Sequence, residues 1–267
     1  MITSNTNPKL KHLKKLMKSS SHRKNTNTFV VEGTREITRA LDSGYNIHSL
    51  YYCSPQLSLS SKSQKIISQV APNHIFEVSP ECISSVLIRD SGEQVVAIFE
   101  SRKYDFSDIK KNKDLNELLL IVDGIEKPGN LGAIIRSAVA SNIDAMILTN
   151  TKCDVYSPAT IRNSLGGVFC LPIINSSHES AYDYCTSNQI QIILSAIDSK
   201  AQIYCNVNWE RPSALIVGSE AWGADEYWFK NSDEKVFIPM NPTMDSLNIS
   251  VSASIILYEA TRQRSKW

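Results

Sequence analysis

Short apolar runs alternate with amphipathic segments along the whole chain. In the first half, the runs at residues 29–31, 50–53, 75–78 and 95–99 predict strands, because short stretches rich in β-branched and aromatic residues favour extended structure. Leu10, Leu13, Leu16 and Met17 recur at helical spacing, and further helices are predicted near residues 34–41, 62–70 and 80–87. The helix at 34–41 is expected to be capped by Thr34 and closed by Gly44. Strands that alternate with helices indicate a small α/β unit.

The second half repeats this alternation with longer apolar runs. Strands are predicted at residues 118–122, 145–148, 190–196, 214–217 and 235–238, and a helix is expected to begin near Asn130. Residues 246–264 carry Leu247, Val251, Ile255 and Tyr258 at helical spacing, which predicts a long final helix. Apolar strands separated by helices indicate a mostly parallel sheet flanked by helices.

A densely charged stretch with few large apolar residues lies between the two halves, at residues 100–117. Polar, exposed segments of this kind connect domains. We therefore expect a first domain over residues 1–104, a linker over 105–117 and a second domain over 118–267.

Composition excludes several classes of protein. The 267-residue chain is 42% hydrophobic and 21% charged, as ordinary globular domains are. No apolar run approaches the roughly 20 residues of a membrane-spanning helix, and the polar start lacks the apolar core of a secretory signal. The six cysteines form no C-x-x-C pair and show no zinc-like spacing to histidine. We expect a cytoplasmic protein with reduced thiols, no metal and no membrane contact.

The charge is unevenly distributed, although the whole chain carries only +1. Residues 1–39 hold nine Lys/Arg and two Glu, which makes +7, so the remainder carries −6. A basic portion on a mildly acidic body suggests binding to a polyanion. A solvated, charged helix face explains the lysines of the first 18 residues equally well.

Three blocks of glycine and polar residues follow apolar runs in the second half. They read LLLIVDGIEKPGNLGAIIR (118–136), LIVGSEAWGAD (215–225) and FIPMNPTMDSLNIS (237–250). None contains the glycine pattern of a dinucleotide site or P-loop, a nucleophile elbow, or a zinc-binding H-E-x-x-H. Taken singly, each also has an ordinary explanation: a capped helix with a surface arginine, a strand-to-helix turn at Ser219, and a helix N-cap at Asp245 or Ser246.

Taken together, the order N-x5-R, then GSE-x2-G, then IPM followed by SLN-x-S resembles the three signature motifs of the SpoU (TrmH-like) RNA 2′-O-ribose methyltransferases of the SPOUT superfamily. The resemblance covers residues 118–264, and FVVEG at 29–33 is similar to the start of the substrate-binding domain in many members. It implies a parallel-sheet α/β domain with a deep trefoil knot, preceded by a small α/β domain resembling ribosomal protein L30.

The resemblance also implies a cofactor and a set of site residues. S-adenosyl-L-methionine (AdoMet) is expected to contact Gly218, Ile238, Leu247 and Ala196, mostly through backbone groups. The implied reaction is methyl transfer to a ribose 2′-hydroxyl, with Arg136 as general base. Because a guanidinium stays protonated, binding the adjacent phosphate and stabilising the developing alkoxide is the physically safer role. The residues expected to hold Arg136 and the ribose in place are Asn130, Glu220, Ser246 and Asn248.

The implied partners are structured RNA and a second copy of the chain. Ribosomal RNA is favoured over transfer RNA, since members acting on transfer RNA often lack the N-terminal domain. Three alternatives remain open: a transfer RNA 2′-O-methyltransferase, a drug-resistance methyltransferase of the thiostrepton type, and a non-catalytic RNA-binding protein on the same scaffold.

Overall fold

The computed structural model describes residues 1–53, 61–88, 94–109, 117–219 and 222–264, and of residues 61–63 only the backbone. The strands are β1 Thr28–Glu32, β2 Ile47–Tyr52, β3 Ile75–Glu77, β4 Val95–Glu100, β5 Leu118–Asp123, β6 Ala145–Thr149, β7 Ile173–Ser176, β8 Gln191–Ser195, β9 Gln202–Ile203, β10 Ser213–Val217 and β11 Glu234–Phe237. The α-helices are α1 Pro8–Lys18, α2 Ser20–Thr26, α3 Thr34–Asp42, α4 Ser61–Ser68, α5 Pro80–Ser84, α6 Pro128–Ala140, α7 Pro158–Asn163, α8 His178–Ser187, α9 Glu226–Asn231 and α10 Ile249–Arg264.

The chain forms two compact units. The first comprises Met1–Arg102 with Asp154–Cys170, and the second comprises Lys103–Cys153 with Leu171–Trp267. The later segment is held in the first unit by aromatic packing, since the rings of Phe29 and Tyr156 stack with centroids 4.3 Å apart. The division into residues 1–104, 105–117 and 118–267 stays a prediction, and residues 110–116 lie outside the described residues.

The first unit contains a mixed four-stranded sheet in the order β1-β4-β2-β3. Strand β4 runs antiparallel to β1 and β2, whereas β2 and β3 are parallel. Helix α1 packs on the sheet because Leu10, Leu13 and Leu16 recur on one face and are buried. At the start of α3 the prediction is wrong by one position: Gly33, with φ +94°, occupies the N-cap, and Thr34 is the first helical residue.

The second unit contains a seven-stranded parallel sheet in the order β7-β6-β5-β10-β8-β11-β9. Every residue of β5, β6 and β10 is buried. Such continuous apolar strands are typical of a parallel sheet covered on both faces. The predicted parallel-sheet α/β fold is confirmed. The pattern missed β7 and β9, which are short strands at the two edges.

The final helix begins later than predicted, at Ile249 rather than Ser246. Its buried face is formed by Ile249, Ala253, Ile256, Leu257 and Ala260. Two of the apolar residues that indicated the helix lie on its other side, since Val251 is 45% and Tyr258 47% exposed. The trefoil knot and the resemblance to ribosomal protein L30 stay predictions.

Candidate active site

The parallel register brings the carboxyl ends of four strands of the second unit into one row. Val217 of β10 is aligned with Val122 of β5 on one side and with Ser195 of β8 on the other, and Ser195 is aligned with Val236 of β11. The three sequence blocks follow β5, β10 and β11, so they leave the sheet at the same edge. Open α/β sheets bind ligands at this edge.

A cavity of about 570 Å³ opens there. The segments after β8, β10 and β11 form its walls, together with the start of α10. Five of the predicted site residues line it: Ala196, Gly218, Ile238, Ser246 and Leu247. All four predicted cofactor contacts therefore face one space.

The loop after β10 folds back tightly on Gly218. A Cβ atom at this position would lie 1.9 Å from the Ala224 nitrogen and 2.1 Å from the Gly223 carbonyl carbon. Ser219 and Gly223 close the loop with two backbone hydrogen bonds of 2.8 and 2.9 Å. Only glycine tolerates this approach of two backbone segments.

The buried carboxylate of Asp123, at the end of β5, anchors the same loop. Its Oδ2 accepts a hydrogen bond of 2.7 Å from the backbone nitrogen of Asp225. Its Oδ1 accepts from the Thr149 hydroxyl at 2.9 Å and lies 2.8 Å from His178 Nε2. Asp123 is 1% exposed, and a buried carboxylate needs such partners. Asp123 thus joins β5, β6 and α8 to the loop that carries Gly218.

The segment after β8 is held against β11. The Ala196 nitrogen donates to the Val236 carbonyl at 2.9 Å, and Lys235 Nζ lies 3.1 Å from Asp198 Oδ2. The backbone N–H of Lys200 and then the Lys235 ammonium hold the pKa of Asp198 below its usual value. These contacts position Ala196 on the wall of the cavity.

The third block ends in the cap of α10. Asn248 Oδ1 accepts from the Ser250 nitrogen at 2.9 Å and from the Ser250 hydroxyl at 2.6 Å. The capping role that the sequence suggested for Asp245 or Ser246 therefore belongs to Asn248, while the exposed Ser246 lines the cavity.

A second cavity, of about 180 Å³, adjoins the first. It is lined by Gly124, Ile125, Glu126, Lys127, Asn130, Ser219, Trp222 and Ile249. Ser219 and Ile249 line both cavities, so the two spaces share a wall. The sequence alone favours an ordinary turn at Ser219, whereas the structure places Ser219 in the wall shared by the two cavities.

The remaining predicted site residues lie elsewhere. Arg136 is exposed on α6 and lines neither cavity. Asn248, just before α10, is also exposed and lines neither cavity. Glu220 lies outside the described residues. The sequence patterns do not identify the hydrogen-bond network that joins Asp123 to His178, Thr149 and Asp225. The polar end of a buried parallel strand was a signal for Asp123, whereas nothing local in the sequence indicates His178.

The first unit presents a basic face on α1. Lys11, Lys15 and Lys18 are exposed, and their spacing of four and three residues places them on one side of the helix. Helix α1 buries its leucines on the opposite side.

The other basic groups near this face are engaged within the unit. Lys9 Nζ lies 4.3 Å from the centre of the Phe76 ring, and Lys14 Nζ donates to Asn5 Oδ1 at 2.9 Å. Arg23 is buried, with Nη2 at 2.7 Å from Asp154 Oδ2. The exposed positive charge of this part of the chain therefore includes Lys11, Lys15 and Lys18 on one face of α1, and also Lys9, Lys24, Arg35 and Arg39.

Family models match both parts of the chain. Residues 7–97 match the MRM3-like substrate binding domain, and residues 117–258, more than half of the chain, match the SpoU rRNA Methylase family. The chain belongs to the SpoU rRNA methylase family. The SpoU match contains all three blocks that meet at the sheet edge.

Similar proteins match this chain over nearly its whole length. This chain is 27% identical over 258 residues (96% of this chain, 97% of the relative) to the 23S rRNA (guanosine(2553)-2′-O)-methyltransferase RlmP of Bacillus subtilis. It is 30% identical over 266 residues (97% and 91%) to the 23S rRNA (uridine(2479)-2′-O)-methyltransferase of Streptomyces viridochromogenes. The crystal structure of the AdoMet-bound rRNA methyltransferase from Sinorhizobium meliloti is similar with a TM-score of 0.87 at 30% identity, covering 98% of this chain and 97% of its own.

Across the described ranges, no helix is both long and apolar enough to cross a bilayer. The described residues also contain no group of three or more His, Cys, Asp or Glu side chains that could hold a metal ion.

Proposed function

We propose that this SpoU protein transfers a methyl group from AdoMet to a ribose 2′-hydroxyl of ribosomal RNA in the cytoplasm. The observation that carries the proposal is the convergence of three blocks on two adjoining cavities, one lined by the predicted cofactor residues and the other by Asn130. The relatives named above, which act on 23S rRNA, support the choice of substrate class.

The large cavity fits the cofactor. Ile238 and Leu247 supply apolar walls for a flat ring, while the segments at Ala196 and Gly218 bring backbone close to the ligand. The close packing at Gly218 keeps that wall free of a side chain. AdoMet supplies an electrophilic methyl group on its sulfonium, and this chain's residues bind and orient it.

The smaller cavity is the proposed ribose site. Asn130 lines it, and Ser246 lies on the large cavity beyond the shared wall of Ser219 and Ile249. Asn130, Glu220, Ser246 and Asn248 are proposed to hold the ribose and Arg136. Holding the hydroxyl in line with the methyl group supplies catalysis by proximity.

Arg136 is proposed to bind the adjacent phosphate and to stabilise the alkoxide that forms as the 2′-hydroxyl loses its proton. A guanidinium matches phosphate with a planar set of donors and keeps its charge. Arg136 is exposed on α6, where a ligand or a second chain has access to it.

A homodimer is the proposed assembly. Val251 and Tyr258 are both about half exposed on α10, and residues seven apart lie on the same face of a helix. Helix α10 packs against α6, since the Ser254 hydroxyl donates to the Ser137 hydroxyl at 2.6 Å. Pairing through this face would place Arg136 close to a second copy. Sedimentation is expected to show a dimer for the natural chain and a monomer for Tyr258→Asp, and an unchanged dimer would contradict this interface.

Methyl transfer tests the function directly. Purified protein with labelled AdoMet is expected to methylate ribosomal RNA from cells that lack the gene, and a map of 2′-O-methyl groups identifies the nucleotide. Arg136→Ala is expected to lower the rate by about 100-fold or more, as loss of an electrostatic stabiliser does, while the exposed control Arg211→Ala is not. Full activity of Arg136→Ala would overturn that role, and transfer to transfer RNA alone would overturn the substrate.

A further inference from the structure

Trp222 is exposed in an unusual way for so large an apolar side chain. Its exposed fraction is 90%, whereas Trp209 and Trp228, the other tryptophans in the described ranges, are 0% exposed. Exposing an indole forgoes the burial that stabilises most tryptophans. This position therefore suggests a ligand that covers the ring.

The ring stands beside the smaller cavity, where Trp222 is one of the lining residues. The same lining contains Asn130, which we propose contacts the ribose, and Lys127, whose ammonium suits a phosphate. A ribonucleotide has a sugar, a phosphate and a flat base. In this cavity Asn130 is the proposed partner of the sugar, and Lys127 suits the phosphate. The exposed indole of Trp222 beside the cavity supplies a partner for the base.

The backbone that carries Trp222 is held in place. The Trp222 nitrogen donates to the Ser219 hydroxyl at 3.2 Å, and the bridge between Ser219 and Gly223 closes the loop on either side. Gly223 has φ +71°, a conformation that glycine adopts without strain. Hydrogen bonds that restrict the backbone beside a ring lower the entropy lost when a ligand stacks on it.

We propose that Trp222 is a stacking platform for the base of the nucleotide bound at the smaller cavity. This inference rests on the proposed function. Sequence-specific RNA recognition uses unpaired bases that stack on aromatic side chains. Every base has such a face, so Trp222 strengthens binding and orients the nucleotide, and the choice among bases falls to other contacts.

Indole fluorescence tests contact without requiring catalysis. On a Trp267→Phe background, Trp222 is the exposed indole of the remaining three, so single-stranded oligoadenylate and oligouridylate are expected to quench the emission of the Trp267→Phe protein. The additional substitution Trp222→Leu is expected to remove this quenching. Quenching of equal size with and without Trp222 would overturn the proposal.

Kinetics separates stacking from simple apolar packing. Trp222→Leu is expected to raise the KM for ribosomal RNA about tenfold, as loss of one stacked base does, and to leave AdoMet affinity unchanged. Trp222→Phe and Trp222→Tyr, which keep a ring, are expected to restore most of the loss. An unchanged KM in Trp222→Leu overturns the proposal, and so does a fall in sedimentation coefficient with it, because that indicates a subunit contact.

Failure of the proposed function is distinguishable from failure of this inference. If the wild-type protein neither binds AdoMet nor methylates RNA, the proposed function fails. If it does both and Trp222→Leu matches it in KM and quenching, only the stacking role fails.

Discussion

Gly218 shows how a single missing side chain shapes the cavity that we propose binds AdoMet. In Gly218→Ala the new Cβ would meet the backbone of Gly223 and Ala224, a conflict that costs about 1–3 kcal/mol or more and moves the loop. We expect weaker AdoMet binding by calorimetry together with a lower melting temperature. Gly129→Ala is the matched control, because a Cβ there meets no atom within 4 Å. Equal effects of the two substitutions would contradict the steric argument.

Asp123 matters through its partners. Asp123→Ala leaves the buried Thr149 hydroxyl without its acceptor and removes the acceptor of the Asp225 amide. A buried group left unpaired costs about 1–3 kcal/mol. Denaturant titration should show a clear loss of stability, and AdoMet affinity should fall because the loop after β10 loses its anchor. The control Glu226→Ala removes only an exposed ion pair with Lys230 and is expected to change little. Unchanged stability in Asp123→Ala would contradict the anchoring role.

Among the elements, α1 and α2 bring two histidines together. His12 Nδ1 lies 3.1 Å from His22 Nε2. Burial first, and then the charges of His22, His48 and Lys15, lower the pKa of His12 from its usual 6.5. The folded state thus disfavours protonated His12, and the unfolded chain takes up the proton first as the pH falls.

Stability is therefore expected to fall as the pH drops through 6.5, and to be regained as it rises again. Urea unfolding of the wild type and of His12→Gln at pH 7.5, 6.5 and 5.5 measures the contribution. The substitution should make stability less dependent on pH over this window. Identical pH dependence of the two proteins would refute the assignment to His12.

Most elements could be predicted because their signals are local. The run of β5 has no polar residue before Asp123, the run of β10 has none after Ser213, and α1 repeats its leucines at helical spacing. The failures have a common cause. β7, β9 and the exposed face of α10 depend on which neighbours cover them, and a periodic pattern does not specify neighbours.

For the whole molecule, the separation of charge predicts how RNA binding depends on salt. Lys11, Lys15 and Lys18 form the exposed basic face of the first unit. We expect affinity for ribosomal RNA to fall steeply with salt, because each phosphate contact releases counterions and makes the slope of log K against log salt more negative by about 0.7–0.9.

Replacing these three lysines by alanine is expected to reduce that slope measurably in filter-binding assays. Lys65→Ala with Lys230→Ala serves as the control, since both side chains are exposed and lie near carboxylates. A slope that stays the same in the triple variant would exclude α1 from the phosphate contacts.

By itself, the amino-acid sequence determined the alternation of strands and helices, the parallel sheet and the chemistry of the three blocks. These depend on residues close together in the chain, where periodicity, glycine and capping side chains act. The tertiary structure alone decided that the blocks share two adjoining cavities, that Asp123 bonds to Asp225 102 residues away, and that Asp154–Cys170 packs with the first unit. It also left Trp222 exposed while the other described tryptophans are buried. Such long-range contacts arise from the packing of whole elements, which no local pattern encodes.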